Sequence, residues 1–359
     1  MPERESQTEA QAPGALLLSE IREQPAALVR LLEHAGEYAA VANAARRQGL
    51  SLVRMVAHGS SDNAASYGVY AFGLLPAWTA MRDSISLSVY YRAEVDLRGS
   101  CVVALSQSGQ TPDVLEYVEI ARKRGAFTVA ITNEPGSALG EAAEAVLPLG
   151  AGPERGIAAT KTYTAQVAAL ALLAAYAAEA GPALARGIRV VADLLDELLP
   201  TLERRLSEVA VALAFVGRMF VIGRGPEFAT AREISLKLVE TCRVAAEPLT
   251  ATDLVHGPVA ALDGLFPVWA IASHDASLPV VCEAAARARA AGATLLASGT
   301  AAGEIADAAY YVPVPKPPTP LLSPLLSVAP GQLLAWALAQ AKGLDPDRPN
   351  GLSKVTLAL

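Results

Sequence analysis

Two stretches of this sequence combine residue types that could bind an anion and move a proton. The first is the loop SQSGQT, residues 106–111, which follows an apolar run at 101–105. Its hydroxyls and amide precede Pro112, which suits the first position of a helix. Because a helix start presents free N–H groups and the positive end of a dipole, the loop predicts a site for a phosphate or similar anion. A plain helix cap formed by Ser108 or Thr111 alone is the alternative interpretation.

The second stretch, REISLKLVETC, carries groups suited to acid–base chemistry. Glu233, Lys237 and Glu240 are spaced i, i+4 and i+7 there, so a helix would place all three on one face. Such a face could transfer protons, or it could be a solvated surface with exposed ion pairs. Further along, the stretch DLVHGPVAAL places His256 before a Gly-Pro turn. Taken alone, a single histidine is more often structural than catalytic.

Six apolar runs, each followed by a loop of small or polar residues, would position these groups. They lie at 52–57, 101–105 and 127–131 in the first half, and at 219–222, 268–272 and 294–297 in the second half. Alternating strands and helices predict a doubly wound parallel sheet. Helical patterns at 15–48, interrupted at Gln24-Pro25, and at 162–213 complete an arrangement that resembles a diverged duplication. The second half's loop at 273–277 lacks the glycine and carries Asp275, so the sequence predicts one anion site per chain.

Composition and charge exclude several classes of protein. A chain of 359 residues that is 52% hydrophobic can form a large core and about two domains. A net charge of −7 argues against a nucleic-acid partner. Cys101, Cys242 and Cys282 lie far apart, which predicts neither a metal site nor a disulfide framework and favours the cytoplasm. The sequence shows no export signal and no membrane span by length and hydropathy, so we expect no membrane partner.

Several ordered motifs resemble those of the sugar isomerase (SIS) domain family. They are EIREQP, SQSGQT, GIAATK, EISLKLVE, HGPVA and RPNGLSKVTL, and together they extend from about residue 18 to residue 359. They are similar to the isomerase half of glucosamine-6-phosphate synthase and to stand-alone deaminases. The resemblance implies an α/β fold with two tandem SIS subdomains, each a three-layer αβα sandwich around a five-stranded parallel sheet. We expect a disordered tail (1–14), N-terminal helices (15–48), a first subdomain with the phosphate loop (49–200), a second with the catalytic helix (201–345) and a C-terminal active-site loop (346–359).

The resemblance also implies roles for individual residues. Glu240 matches the family's general base, Lys237 a neighbouring lysine, and Lys354 the lysine of a closing C-terminal loop. His256 matches a ring-opening imidazole contributed by the neighbouring subunit, which implies a homodimer with composite active sites. Glu233 is expected beside the site. The sugar-phosphate cradle is expected to comprise Gly59, Ser60, Ser61, Ser106, Gln107, Ser108 and Thr111, with Ala159 in place of a substrate-binding serine.

The chemistry expected from this resemblance is aldose–ketose isomerisation of a phosphorylated sugar, with no cofactor and no metal. The chain begins Met1-Pro2-Glu3, without the N-terminal cysteine and glutamine-hydrolysing domain of the synthase. We therefore expect a glutamine-independent deaminase that converts glucosamine 6-phosphate to fructose 6-phosphate and ammonia. The alternatives are another phosphosugar isomerase, a galactosamine-type deaminase or a deglycase on the same scaffold, or a non-catalytic module that senses a sugar phosphate.

Overall fold

The arrangement of the chain comes from a computed structural model that describes residues 12–354. Within that range, ten strands form two five-stranded parallel sheets. The first sheet contains β1 (Leu52–Val56), β2 (Thr79–Arg82), β3 (Ser100–Leu105), β4 (Phe127–Thr132) and β5 (Ala145–Pro148). The second contains β6 (Arg218–Gly223), β7 (Ala245–Thr250), β8 (Val268–Ile271), β9 (Leu295–Gly299) and β10 (Tyr310–Pro313). The expected disordered tail lies outside the described residues up to residue 11, as do residues 355–359 of the expected C-terminal loop.

The two sheets share one topology, as a duplication predicts. Their strand orders are β2-β1-β3-β4-β5 and β10-β9-β8-β6-β7, which become identical when each set is numbered along the chain. Leu52 of β1 pairs with Ser100 of β3, and Phe220 of β6 pairs with Val268 of β8. At both of these central pairs the strand order reverses, and ligands of open α/β sheets bind outside the carboxyl ends of the strands at such points.

Thirteen α-helices surround these sheets in the described part of the chain. Pro25 lies in the first turn of α2, where its missing N–H is tolerated, so the predicted break in the first helical stretch is confirmed. The stretch predicted at 162–213 consists of two helices. The helices are α1 (Ala15–Arg22), α2 (Gln24–Glu33), α3 (Ala35–Arg47), α4 (Gly59–Leu74), α5 (Ile85–Val89), α6 (Pro112–Lys123), α7 (Ala138–Ala142), α8 (Lys161–Ala177), α9 (Gly181–Ala212), α10 (Glu227–Cys242), α11 (Ala251–Val255), α12 (Leu278–Ala290) and α13 (Ser323–Ala341).

Each sheet buries both faces, which explains why its central strands are continuous apolar runs. In β3, Val102 and Ala104 pack toward α5, α6 and α7, whereas Val103 and Leu105 join the core that includes α3, α4 and α8. The second sheet likewise packs one face against α11 and α12 and the other against that same large core, with α10 and α13. The two sandwiches therefore share a central layer of helices, and the predicted fold class is confirmed.

The shared helical layer accounts for the most apolar segments. Among the described residues, one segment, Pro320–Ala341, is long and apolar enough to cross a membrane by length and composition. In the fold, 94% of its apolar window is buried inside the protein. Its apolar character is therefore explained by packing, since α13 contacts both α9 and α10. The expected subdomain boundary at residue 200 falls within α9 and remains a prediction.

Candidate active site

A cavity of about 470 Å³ opens at the carboxyl ends of β1 and β3, the switch point of the first sheet. It brings together loops from both halves of the chain and the C-terminal segment. Ten of the residues singled out from the sequence line it: Gly59, Ser60, Ser61, Ser106, Gln107, Ser108, Thr111, Ala159, Glu240 and Lys354. Residues that are far apart in the sequence therefore share one cavity.

The loop that follows β3, predicted to bind an anion, makes a tight turn beside the cavity. Ser106 Oγ accepts a hydrogen bond from the Gly109 N–H at 3.1 Å and lies 3.0 Å from Thr111 Oγ1. Gly109 has a φ of 63°, and a Cβ there would lie 1.8 Å from Ser137 Oγ, so the turn requires glycine. Thr111 is the N-cap of α6 but its side chain makes no capping bond. Its hydroxyl is therefore turned toward Ser106 and the cavity, unlike that of a plain helix cap.

The loop that follows β1 forms the neighbouring wall and connects it to the second half. Ser60 donates to Glu233 Oε1 at 2.9 Å, and Ser61 Oγ accepts from Gln166 Nε2 at 2.9 Å. Gly59 begins α4 with a φ of 54°. Since α4 packs against α10, the first turn of α4 brings the serines of this loop to the charged face of α10.

The predicted charged face of α10 is a linked row of three side chains. Lys237 Nζ lies 2.5 Å from Glu240 Oε2 and 3.5 Å from Glu233 Oε1, and it donates to Ser60 Oγ at 3.3 Å. Glu233 is fully buried and also accepts from Asn63 Nδ2 at 2.9 Å, whereas the Glu240 side chain is 21% exposed. With two of its three members buried, this row is not a solvated surface face.

Burial and charge shift the proton affinities of this row in definite directions. Burial raises the pKa of Glu233 to about 7, even though the Lys237 charge opposes the rise. The pKa of Lys237 lies above its usual value because the two glutamates outweigh its burial. Lys237 is thus a permanently charged group held between two carboxylates. Glu240 is the member of the row that reaches the cavity.

The opposite wall is formed by the segment before α8 and by the C-terminal segment. Glu154 is buried and accepts from the Thr160 and Thr162 N–H groups at 2.9 and 3.1 Å. Lys354 Nζ donates to Glu154 Oε2 at 3.2 Å and to the Gly156 carbonyl at 2.6 Å. Lys354 therefore links the C-terminal segment to the buried Glu154, and Ala159 lines the same cavity.

His256 is the one singled-out residue that the described chain leaves away from the cavity and its lining charges. It follows α11 as an exposed residue. Other groups that line the cavity were not found from the sequence: His58, Tyr90, Asp113, Glu154, Ile157, Leu352 and Ser353. Glu154 and Asp113 lie in segments without a charge pattern, and their burial depends on contacts between distant elements. His58 begins the small, polar loop predicted after β1, and that loop was the signal in the sequence that could have identified it.

The switch point of the second sheet is filled by a side chain of the protein itself. Glu227, at the start of α10, is buried and accepts hydrogen bonds from Ser273, Ser327 and Thr230 at 2.5 to 2.8 Å. Burial raises its pKa. The Glu227 side chain thus occupies the place that corresponds to the cavity of the first sheet. In addition, the described residues contain no group of three or more His, Cys, Asp or Glu side chains arranged to hold a metal ion.

Comparisons with known proteins agree with this arrangement. A family model described as SIS domain matches residues 53–176. A glutamine–fructose-6-phosphate aminotransferase (isomerizing) of Thermus thermophilus is 35% identical over 316 residues, which cover 84% of this chain and 51% of that protein. The chain thus spans about half the length of this curated relative.

Solved structures extend the similarity to nearly the whole chain. A candidate phosphosugar isomerase of Silicibacter pomeroyi DSS-3 superposes with a TM-score of 0.81 and 31% identity, covering 93% of this chain and 100% of that one. A protein named glucosamine-6-phosphate deaminase from Thermotoga maritima has a TM-score of 0.74 and 20% identity, covering 96% and 100%. The similarity to the Thermotoga maritima protein shows a shared fold. The similarity to the Silicibacter pomeroyi protein includes the sequence as well, over 93% of this chain.

Proposed function

This chain belongs to the SIS-domain family and has the scaffold of its phosphosugar isomerases, and from that premise we propose that it is a glutamine-independent deaminase of an amino-sugar phosphate. The proposed reaction converts glucosamine 6-phosphate and water to fructose 6-phosphate and ammonia. The observation that carries the proposal is that Glu240, paired with the buried Lys237, lines the same cavity as the serine loop of β3.

In the proposed mechanism, the loop at 106–111 and the start of α4 hold the phosphate, and the open-chain sugar extends toward α10. Glu240 removes the proton from C2, and the electrons form an enolic double bond between C1 and C2. Lys237 stabilises the negative charge that develops nearby. Return of a proton to C1 gives an imine at C2, which water hydrolyses to the ketose and ammonia. No step requires an oxidant, because the oxidation of C2 is balanced by the reduction of C1.

The proposed direction of the reaction, release of ammonia, follows from the chemistry of free ammonia. At neutral pH most ammonia is protonated and therefore not nucleophilic, and in bulk solution it is dilute. For this chain acting on its own, mass action favours hydrolysis of the imine over its formation. Ala159 presents a methyl group to the cavity, so the substrate loses one hydroxyl contact that a serine there would offer.

We extend the proposal to the assembly and its place in the cell. His256 is exposed and lies away from the cavity of its own chain, so a second copy could bring it to the site as a ring-opening group. The proposed homodimer would thus hold two composite sites. The described cysteines are free thiols, two of them buried, which fits a reducing cytoplasm.

An ammonium-release assay tests the proposal directly. The purified chain is given glucosamine 6-phosphate, galactosamine 6-phosphate or their N-acetyl forms, without metal, nucleotide or glutamine. Ammonium and fructose 6-phosphate are expected from glucosamine 6-phosphate in equal amounts. Glu240→Gln should lower kcat on the order of 100- to 10,000-fold, as expected for loss of a general base. Glu208→Gln, at an exposed position of α9, is the matched control and should leave kcat unchanged.

Other outcomes would assign a different activity. Isomerisation of a plain hexose phosphate, with no ammonium from any amino sugar, would replace the deaminase with a phosphosugar isomerase. Ligand binding without turnover of any phosphosugar would indicate a sensing module. Retention of more than about a tenth of the activity in Glu240→Gln would place the base elsewhere.

A further inference from the structure

A histidine–aspartate pair lies at the edge of the cavity and has no part in the proposed proton transfer. His58 Nε2 is 2.7 Å from Asp113 Oδ2. The imidazole precedes α4 and is 56% exposed, whereas Asp113 lies in the first turn of α6 and is 7% exposed at its side chain. Both residues line the cavity together with Ser106, Ser108 and Thr111.

Asp113 creates an electrostatic problem for any anion in the cradle. Its carboxylate is buried, and its Oδ1 atom has no hydrogen-bond partner among the described residues. A buried carboxylate needs a compensating charge, and His58 is the partner that the structure provides. With a neutral imidazole the pair carries one negative charge beside the cradle, and with an imidazolium it carries none. The proton on His58 therefore decides whether the pair repels a phosphate.

The cradle itself offers no cationic side chain to offset that repulsion. Residues 106–111 contribute hydroxyls, amides and backbone N–H groups, while a phosphomonoester carries nearly two negative charges at neutral pH. The lysines near the cavity are engaged elsewhere: Lys354 with Glu154, and Lys237 with Glu233 and Glu240. Among the described cavity-lining side chains, His58 becomes positively charged when protonated and contacts Asp113, two residues after the loop.

We propose that His58 is a phosphate-binding residue and that Asp113 is its positioning residue. Asp113 holds the protonated ring through Nε2, and Nδ1, which has no partner among the described residues, donates to an oxygen of the substrate phosphate. Binding of a phosphosugar is then linked to proton uptake by the pair. The inference rests on the proposed function, which places the substrate phosphate against the loop at 106–111.

The other charged groups that face His58 already have partners of opposite charge. In α4, the helix that His58 precedes, Asp62 is paired with Arg82 and Arg232, and beyond β2, Asp83 is paired with Arg54. Across the cavity the charged groups are Glu154, Glu240 and Lys354, and Tyr90 from the end of α5 is the remaining titratable group. All of these carboxylates have cationic partners. Histidine is the side chain that ordinarily changes charge between about pH 5 and 8.

The test is isothermal titration calorimetry with fructose 6-phosphate at pH 6, 7 and 8, in buffers of different ionisation enthalpy. For the unaltered chain we expect proton uptake on binding and weaker affinity at pH 8 than at pH 6. His58→Gln should weaken affinity at pH 6 roughly tenfold or more, as expected for a lost charge-assisted hydrogen bond, and should abolish the uptake. His58→Arg should bind without proton uptake and keep its affinity at pH 8.

Kinetics and controls separate a binding role from a structural one. His58→Gln should raise KM and leave kcat nearly unchanged, and Asp113→Asn should reduce the proton uptake. His34→Gln, at a histidine that precedes α3 and does not line the cavity, is the matched control and should behave like the unaltered chain. Circular dichroism and melting temperature verify that each variant is folded.

Three results would overturn the inference. These are unchanged affinity and proton uptake in His58→Gln, loss of kcat with unchanged affinity, and an arginine variant as weak as the glutamine variant. The double variant Ser106→Ala and Ser108→Ala separates a failure of the proposed phosphate site from a failure of the role of His58. If that double variant binds weakly while His58→Gln binds normally, the cradle stands and the role of His58 fails. If neither change weakens binding, the proposed phosphate seat itself is wrong.

Discussion

Replacing Glu233 with glutamine should change how the stability of the protein depends on pH. Burial raises the pKa of Glu233 from 4.5 to about 7. Between these two values the folded chain holds a proton at this site that the unfolded chain has released. The folded state is therefore penalised increasingly as pH rises from 4.5 to about 7, and the penalty is constant above that range. Glutamine does not titrate, so the variant escapes this penalty.

The size of the effect follows from the shift. One pKa unit corresponds to about 1.4 kcal/mol, so the rise from 4.5 to about 7 corresponds to about 3 kcal/mol. Lys237, whose pKa is raised, stays protonated across this range and adds no slope of its own. The free energy of unfolding of Glu233→Gln, minus that of the unaltered chain, should thus increase by about 2 to 3 kcal/mol between pH 5 and pH 8.

Urea unfolding followed by tryptophan fluorescence, at half-unit steps from pH 5 to pH 8, measures this difference. Glu208→Gln is a suitable control because Glu208 is exposed on α9, and its curve should parallel that of the unaltered chain. A Glu233→Gln curve that also runs parallel would refute the reasoning, since it would mean that Glu233 ionises in the folded protein as it does in the unfolded chain. A difference that decreases with pH would show that pairing with Lys237 outweighs burial.

Three further predictions concern the cavity. Changing Ser106 and Ser108 to alanine should raise KM, because hydrogen bonds to a charged group are each worth roughly 1.5 to 3 kcal/mol. Steady-state kinetics measures this change, and an unchanged KM in folded protein would exclude this loop as the phosphate site. Lys354→Met should lower kcat/KM about tenfold or more by releasing the C-terminal segment from Glu154, whereas equal kcat/KM would show that this lysine has no role in turnover. Subunit exchange between inactive His256→Ala and inactive Glu240→Gln chains should restore part of the activity, and exchanged but inactive mixtures would place the site within one chain.

The central strands could be predicted from the sequence, whereas the outer ones could not. β3 and β4 are buried on both faces, so each is a run of apolar residues that ends in a small, polar loop. β2 is mostly exposed, and β7 contains Glu247 and Pro248. Such exposed or partly polar strands owe their conformation to pairing with a buried neighbour, which is information that the local sequence does not contain.

Part of the candidate site could likewise be predicted from the sequence, and part of it could not. Periodicity predicted that Glu233, Lys237 and Glu240 share a helix face, and the structure joins them through hydrogen bonds and ion pairs. Glu233 is the buried end of the row, and its carboxylate accepts hydrogen bonds from Ser60 and Asn63, which lie about 170 residues earlier in the chain. The His58–Asp113 pair likewise joins the residue before α4 to the first turn of α6. Contacts of this kind depend on how the elements pack and leave no periodic signal.

The repeated topology explains why the cavity uses both halves of the chain. Each sheet has a switch point, but in the second half Glu227 occupies it and is held there by hydroxyl groups from Ser273, Ser327 and Thr230. That filled site cannot accept a phosphate, because a buried carboxylate would repel it. The helix that begins with Glu227 is α10, and its next turns carry Glu233, Lys237 and Glu240 toward the open switch point of the first sheet. One half of the chain therefore provides the proposed anion cradle and the other provides the charged helix. Neither copy alone contains both groups that the proposed reaction requires.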